Sequence, residues 1–212
     1  MFNEMKECTM SDLYKFQFDV NNTSVLQMWE VERYKTKLQK TLGSTFEVET
    51  GLNDSGLTGV LSVTQSKLSK GFAKTSVFED QDGDGLFQQA FEIQVATSTA
   101  TAAQLEKHKF SFDASGQVTA DYELSKGIWK LVGIDQDEAF TVVSLDGVDY
   151  VVKTEQERDG VEFELFRDDN QDGVWTRIAE GEAGAGFVDA STGTVDLVGV
   201  QIYLDAAIGM VG

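Results

Sequence analysis

The stretch VTADYELSKGIWKLVGI, from Val118 to Ile134, decides the fold class because apolar and polar residues alternate along it. Every second position of its first half is apolar, as shown by Val118, Ala120, Tyr122 and Leu124. Successive side chains of a β-strand point to opposite faces, so a period of two with β-branched and aromatic residues is typical of strands. Asp-Gly and Ser-Gly dipeptides, which accept the positive φ angles of tight hairpins, punctuate the chain around it. They are Asp84-Gly85, Ser115-Gly116, Asp146-Gly147, Asp159-Gly160 and Asp172-Gly173.

The order of motifs in the first half of the chain recurs in the second half. The Phe-x-Phe-Asp motif that begins at Phe16 recurs at Phe110, 94 positions later. The acidic stretch VFEDQDGDGLF, residues 77–87, corresponds to LFRDDNQDGVW, residues 165–175, at an offset of 88. A loop insertion in the Gly- and Ser-rich segment between Val48 and Val77 accounts for the changed offset, because surface loops tolerate insertions. The sequence therefore predicts two divergent copies of one module.

This duplication sets the predicted organisation. We expect an all-β fold of two tandem antiparallel meander modules, sandwich or barrel-like, each with six or seven strands. The modules comprise residues 13–95 and 108–183, with a linker at 96–107 that includes one short helix at Ala102 to Lys107. Residues 184–212 form a truncated third repeat, or they close the sheet of the second module. The segment Val25 to Leu38 fits a helix partly, but its alignment with Val118 to Ile134 predicts a strand.

Composition excludes several classes of function. The chain of 212 residues carries 36 acidic and 17 basic residues, a formal charge of −19, which opposes binding to nucleic acid and to anionic lipid. No apolar run approaches the roughly 18 residues of a membrane span, and the start resembles no signal peptide, so membrane insertion is not expected. Cys8 and His108 are the single cysteine and histidine, which excludes an intrachain disulfide, a cysteine zinc cluster and a two-histidine metal site.

The acidic stretches are the strongest candidate for chemistry. In the first loop Asp80, Asp82 and Asp84 occupy positions 1, 3 and 5, and Gly85 occupies position 6. In the second loop the same positions hold Asp168, Asn170, Asp172 and Gly173. Both copies therefore keep oxygen-bearing side chains at alternate positions while the residues between them differ.

A calcium ion explains this pattern better than a bare turn does. Calcium binds six to eight oxygen ligands, and a glycine at position 6 permits the sharp turn of such a loop. We predict one structural Ca²⁺ in each loop, with the backbone carbonyls of Leu86 and Val174 at position 7 as further ligands. An acidic hairpin turn without a metal is the alternative.

The D-x-[DN]-x-D-G pattern resembles the first half of an EF-hand loop and the calcium loops of FG-GAP and thrombospondin type 3 repeats. An EF-hand also requires a glutamate at position 12 and flanking helices, whereas Phe91 and Ala179 stand at position 12 here. Glu92 and Glu180 follow one position later, too far along an extended strand to close their own loops. Glu79, Asp169, water, or the turns at Asp19 and Asp113 would supply the remaining ligands.

The sequence predicts a calcium-binding β-repeat protein with a structural or adhesin-like role and a glycan or protein ligand. Its acidic, cysteine-poor composition is similar to that of bacterial type I secretion substrates, which implies secretion or a cell-surface location; the cytoplasm is the alternative. A calcium-stabilised enzyme that acts on polysaccharide through a carboxylate pair is the alternative function. Trp29, Trp129 and Trp175 are expected in the core, with Trp175 the best candidate for an exposed sugar-stacking residue.

Overall fold

The computed structural model describes residues 13–32, 35–52, 58–145, 148–156, 160–184, 188–189 and 194–195. Within these ranges the regular elements are all strands, and no helix is present. Fourteen of the strands pair in one antiparallel sheet, and two short strands form a separate pair. The all-β class predicted from the alternating pattern is therefore confirmed.

The strands follow one another along the chain with short connections. The first seven are β1 (Leu13–Phe18), β2 (Val25–Glu32), β3 (Lys35–Leu38), β4 (Ser44–Leu52), β5 (Thr58–Ser69), β6 (Phe72–Glu79) and β7 (Phe87–Ala96). The next seven are β8 (Lys107–Phe112), β9 (Val118–Ser125), β10 (Ile128–Val132), β11 (Glu138–Leu145), β12 (Val148–Gln156), β13 (Gly160–Arg167) and β14 (Trp175–Gly184). The last two are β15 (Val188–Asp189) and β16 (Thr194–Val195).

The chain divides into two compact units. The first unit contains Met1–Gln65 and Val77–Gln89, and the second contains Ser66–Ser76 and Ala90–Gly212. Strands β1 to β4 belong to the first unit and β8 to β14 to the second, while β5, β6 and β7 contribute residues to both. The boundaries 13–95 and 108–183 that we expected for tandem modules stay predictions.

In the first unit, β1 lies between β2 and β7. Its start pairs with the start of β7 through Tyr14 and Phe87. Its pairing with β2 shifts register between Gln17 and Phe18, which places a bulge just before the hairpin turn. β3 extends the sheet beyond β2, so β1, β2 and β3 form a three-stranded meander.

In the second unit, β8 lies between β9 and β14 in the same manner. Its start pairs with the start of β14 through His108 and Trp175, and its bulge falls between Ser111 and Phe112. β10 extends the sheet beyond β9, and β11 to β14 pair in sequence as a four-stranded meander. Seven strands thus combine two meanders, of three and of four strands, rather than one continuous meander.

The core of the first unit is built on aromatic rings. Phe16, Phe78 and Phe87 are buried together with Met28 and Val63. The Phe16 ring lies 5.4 Å from the Phe78 ring and 5.0 Å from the Phe87 ring, both edge-on. Edge-to-face ring pairs add stability beyond the area they bury, so this cluster fixes the end of the sheet next to the acidic loop.

The second unit contains a similar aromatic cluster. The Phe110 ring lies 5.2 Å from the Phe166 ring and 6.0 Å from the Trp175 ring, again edge-on. Trp175 stands where the first unit has Phe87. The cluster also differs at a pair of polar residues, where His108 Nδ1 and Asp121 Oδ1 lie 2.8 Å apart in the buried interior. The corresponding residues of the first unit are Tyr14 and Met28.

The segment between β7 and β8 contains no helix, so the expectation of a helix at Ala102 to Lys107 is wrong. Residues 102–104 form a single turn, in which the Gln104 N–H donates to the Thr101 carbonyl. The Gln104 side chain donates to the Lys70 carbonyl and accepts from the Thr101 N–H. Lys107 already pairs with Thr176 of β14, so the chain has too few residues for a second helical turn.

The C-terminal segment is described only in part. β15 and β16 pair through Val188 with Val195 and Asp189 with Thr194. Most of the predicted third repeat, including the apolar stretch after Val195, lies outside the described residues.

Candidate metal centre

The first acidic loop connects β6 to β7 and is organised by Asp80. This carboxylate is buried, with 6% of the residue exposed, although it stands in a loop. Its Oδ1 accepts from the Gly83 N–H at 2.8 Å, and its Oδ2 accepts from the Gly85 N–H at 3.0 Å. Hydrogen bonds to a carboxylate are stronger than neutral ones, so Asp80 holds the loop in its curled shape.

The other two carboxylates of this loop point toward the same space. Asp82 Oδ1 accepts from the Asp84 N–H at 3.2 Å, and Asp84 Oδ1 accepts from the Leu86 N–H at 2.7 Å. One oxygen from each of Asp80, Asp82 and Asp84 lies within 4.8 Å of the others. A carboxylate oxygen that accepts one N–H keeps a lone pair for a cation, so three ligands converge without rearrangement.

The second acidic loop connects β13 to β14 and repeats three hydrogen bonds of the first. It differs at Asp168 Oδ1, which accepts from the Asp172 N–H at 3.2 Å, whereas Asp80 Oδ1 accepts from the Gly83 N–H. Asp168 Oδ2 accepts from the Gly173 N–H at 2.8 Å, as Asp80 does from Gly85. Asn170 Oδ1 accepts from the Asp172 N–H at 3.3 Å, and Asp172 Oδ1 accepts from the Val174 N–H at 2.8 Å. Side-chain oxygens at positions 1, 3 and 5 therefore have equivalent backbone partners in the two loops.

Both loops place left-handed residues at positions 4 and 6. Gly83 and Gly85 have φ angles of 78° and 83° in the first loop. Gln171 and Gly173 have φ angles of 57° and 78° in the second. Glycine adopts this region without cost, whereas a residue with a Cβ does not, so Gln171 is held in a strained conformation.

The electrostatic surroundings of the two loops differ. Position 0 is Glu79 in the first loop and Arg167 in the second, where the Arg167 Nε lies 2.5 Å from Asp169 Oδ1. The Val174 N–H and the Asn170 amide lower the pKa of Asp172, and the charges of Lys109 and Lys107 lower it further. The second loop therefore holds fewer carboxylates and lies closer to cations than the first.

The residues proposed to complete the coordination are engaged elsewhere or untested. Glu180, which was not expected to close its own loop, accepts from the Gln94 amide and contacts Arg177. Asp19 accepts from the N–H groups of Thr23 and Ser24, and Asp113 holds its own turn in the same way. The carbonyl ligands Leu86 and Val174 stay predictions.

A second cluster of charged residues, which the sequence analysis did not single out, lines a groove of about 400 Å³ in the second unit. Register places four glutamates in one row across β12, β13, β14 and β7, namely Glu155, Glu162, Glu182 and Glu92. Lys153 and Arg177 lie beside this row, and Arg177 contacts the carboxylates of both Glu164 and Glu180. Glutamates alternate with other residues in EFELF, residues 162–166, and in EGEAG, residues 180–184. This pattern could have predicted the charged face of the sheet.

The three tryptophans, which we expected in the core, are partly buried. Trp29, Trp129 and Trp175 are all half-buried. Trp175 packs against Phe110 and Phe112, with ring distances of 6.0 and 6.2 Å. Trp129 lies under the Lys109 ammonium, whose nitrogen is 4.6 Å from the ring centroid.

Comparison of the chain with protein-family models, curated proteins and solved structures finds no match. Within the described residues no helix is long and apolar enough to cross a membrane.

Proposed function

We propose that the chain is a calcium-binding tandem β-repeat protein that acts at the cell surface or after secretion, with a structural or ligand-binding role. The observation that carries the proposal is that both acidic loops have the same hydrogen bonds from position 1 to position 6, from 3 to 5 and from 5 to 7. Both loops also keep oxygen-bearing side chains at these positions, although the residues between them differ. A bare turn requires the curled backbone, but it does not require three converging oxygens.

The tandem arrangement is supported by strand pairing as well as by sequence. β1 and β8 are both flanked by the next strand and by the strand that follows an acidic loop. Their bulges fall at Gln17/Phe18 and Ser111/Phe112, which is the offset of 94 found in the sequence. Duplication explains why two loops of similar geometry occur in one chain.

A calcium ion would offset the repulsion between the three carboxylates of the first loop. Three carboxylates within a few ångströms repel one another by about 1 kcal/mol per pair even in water. A divalent cation reverses this repulsion and stabilises the folded state by mass action. Extracellular sites bind calcium with dissociation constants of about 10⁻⁴ to 10⁻³ M, so millimolar calcium outside cells would fill loops of this kind.

Calorimetric titration of chelator-treated protein tests the proposal. We expect calcium to bind at two sites and magnesium to bind more weakly, because magnesium retains its waters and takes few carboxylates. The double variant Asp82→Ala/Asn170→Ala should lose calcium binding, and Gln81→Ala, which changes position 2 of the first loop, is its control. Absence of calcium binding by the wild-type protein would contradict the proposal.

An enzyme that acts on polysaccharide is the second candidate, and the groove in the second unit is the observation that favours it. Glu164 and Glu180 both contact Arg177, so two carboxyl groups lie close together in a cavity, as glycoside hydrolysis requires. The residues that line the groove in the described part of the chain include Phe163 but no tryptophan. Release of reducing ends from polysaccharides, lost in Glu164→Gln and in Glu180→Gln, would support this candidate over the first.

A further inference from the structure

The three-stranded meander of each unit has an inner and an outer face. In the first unit Phe16 and Met28 lie opposite each other on β1 and β2 and are buried, with 7% and 4% exposed. Lys15 pairs with Trp29, and Trp29 pairs with Leu38, on the other face. Lys15 is exposed, and Leu38 is 58% exposed, so this face is turned toward solvent.

The second unit has the same arrangement. Phe110 and Asp121 lie opposite each other on the inner face of β8 and β9. Lys109 pairs with Tyr122, and Tyr122 pairs with Leu131, on the outer face. Lys109 is exposed, and Leu131 is 66% exposed.

We call each set an outer row: Lys15, Trp29 and Leu38 in the first unit, and Lys109, Tyr122 and Leu131 in the second. Both rows consist of a lysine, an aromatic residue and a leucine, in the same order across three strands. Solvent-facing positions of a sheet are normally polar, and packing in the core does not dictate their identity. Two copies whose inner residues differ, as at Met28 and Asp121, have therefore kept an exposed row of the same composition.

The charged residues on the outer faces indicate which class of partner the outer rows would bind. The described outer-face positions of β1, β2 and β3 hold Lys15 and no carboxylate, and those of β8, β9 and β10 hold Lys107 and Lys109 and no carboxylate. These faces are basic and apolar in a chain whose formal charge is −19. Their complement is a partner that combines negative charge with apolar surface.

The geometry favours a sugar polymer as this partner. The Lys109 ammonium lies 4.6 Å from the centroid of the Trp129 ring and belongs to the same face as Tyr122, so charge and aromatic surface stand side by side. Aromatic rings stack on the C–H faces of pyranose rings, and an ammonium pairs with their carboxylate or sulfate groups. An acidic sugar therefore matches both the lysine and the aromatic ring of each row.

We propose that the outer rows bind an acidic polysaccharide through a lysine and an aromatic ring in each unit. This inference rests on the ligand-binding role in the proposed function and does not require calcium in the loops, although Lys109 lies close enough to the second loop for its charge to lower the pKa of Asp172.

Binding of the intact protein to carboxymethyl dextran and to dextran sulfate, with neutral dextran as the matched control polymer, tests the proposal. The double variant Lys15→Gln/Lys109→Gln should bind the charged polymers about fivefold or more weakly. Lys37→Gln/Lys130→Gln makes the same charge change on the inner-face side of the same meanders and should retain wild-type affinity. Equal unfolding midpoints of both variants show that the fold is intact.

Several outcomes would overturn the proposal. The wild-type protein could fail to bind either charged polymer, or it could bind neutral dextran equally well. The two double variants could lose affinity equally, which would indicate a general charge effect. Light scattering could instead show self-association that Lys15→Gln/Lys109→Gln abolishes, which would make the outer rows an interface between copies of the chain. Repeating the titrations in chelator and in calcium separates this test from that of the calcium sites.

Discussion

The two acidic loops share three backbone hydrogen bonds but not their charges. Asp80 and Asp168 accept from the position-6 glycine N–H at 3.0 and 2.8 Å, so the backbone of each loop is held in the same way. The first loop adds Asp82 where the second has Asn170, and it has Glu79 where the second has Arg167. Loop geometry and loop charge therefore vary separately, and we expect the first loop to bind a cation more tightly.

The largest expected effect tests whether the aromatic clusters are equivalent. Phe78→Ala and Phe166→Ala each remove a fully buried ring that contacts Phe16 or Phe110. We expect each to lower the free energy of unfolding by about 3–5 kcal/mol, as large-to-small changes of buried aromatic residues do. Chemical denaturation measures both. A loss in one variant without a comparable loss in the other would break the correspondence between the units.

The second largest effect concerns the buried His108–Asp121 pair, whose positions hold Tyr14 and Met28 in the aromatic cluster of the first unit. Asp121→Met removes the partner of His108 Nδ1 and should cost about 1–3 kcal/mol, because a buried polar group is left without its hydrogen bond. The double variant His108→Tyr/Asp121→Met reproduces Tyr14 and Met28 and should recover most of this loss. Urea titrations of the single and double variants measure it. Additive losses in the double variant would show that the surroundings of the two pairs are not equivalent.

Exchange of position 3 tests the difference in loop charge directly. Asp82→Asn should weaken calcium binding by the first loop about fivefold, and Asn170→Asp should strengthen binding by the second about fivefold, since one charge near the cation contributes about 1 kcal/mol. Calorimetric titration resolves the two sites. Equal affinities in the wild-type protein, unchanged by either substitution, would contradict the ranking of the loops.

Position 4 of each loop tests the cost of a positive φ angle at a residue that is not glycine. Gln171→Gly should stabilise the protein by about 0.5–1 kcal/mol, because glycine adopts the φ of 57° without strain. Gly83→Gln should destabilise it by a similar amount. Gln81→Gly is the control, because Gln81 lies in the first loop at a position without a positive φ. This substitution should not stabilise the protein. Thermal unfolding in chelator measures these differences without a contribution from calcium.

The smallest effect lies in the hairpin turns between β1 and β2 and between β8 and β9. The hydrogen bond from the Thr23 N–H lowers the pKa of Asp19, and the hydrogen bond from the Ser115 hydroxyl lowers the pKa of Asp113. Both pKa values lie below the ordinary value of 3.8 for an aspartic acid. A carboxyl group whose pKa is lowered by folding adds stability above its unfolded pKa, and this stability is lost as the pH falls through the folded pKa. Asp19→Asn and Asp113→Asn should therefore flatten the loss of stability below about pH 4, as acid titration of the unfolding midpoint measures.

Much of the fold could be predicted from short-range patterns. Alternation at Val118 to Leu124 predicted β9, and alignment of the copies predicted β2, because both signals depend on a period of two. The helix at Ala102 to Lys107 was wrong, because Thr101 and Gln104 close a single turn whose length is set by contacts with Lys70 and Thr176. Such contacts between distant segments leave no local pattern.

The candidate site was likewise predicted only in the features that depend on local spacing. The spacing of Asp80, Asp82 and Asp84 predicted that their oxygens converge, since alternate residues of a curled loop point inward. The burial of Asp80 and the charges of Lys107 and Lys109 beside Asp172 depend on strand pairing and could not be derived from spacing. The outer rows also required register, because their members are 9 to 14 residues apart in sequence (15, 29 and 38; 109, 122 and 131) and meet only across three strands.

Thermal unfolding of the protein in chelator and in calcium tests the central claim, which is that both loops hold calcium in the folded state. A site with a dissociation constant of about 10⁻⁴ M contributes about 2.7 kcal/mol at 10 mM calcium. For a chain of this size we expect a rise of about 5 °C or more in the unfolding midpoint. The rise should persist in Gln81→Ala and disappear in Asp82→Ala/Asn170→Ala. An unchanged midpoint for the wild-type protein in calcium would contradict the account.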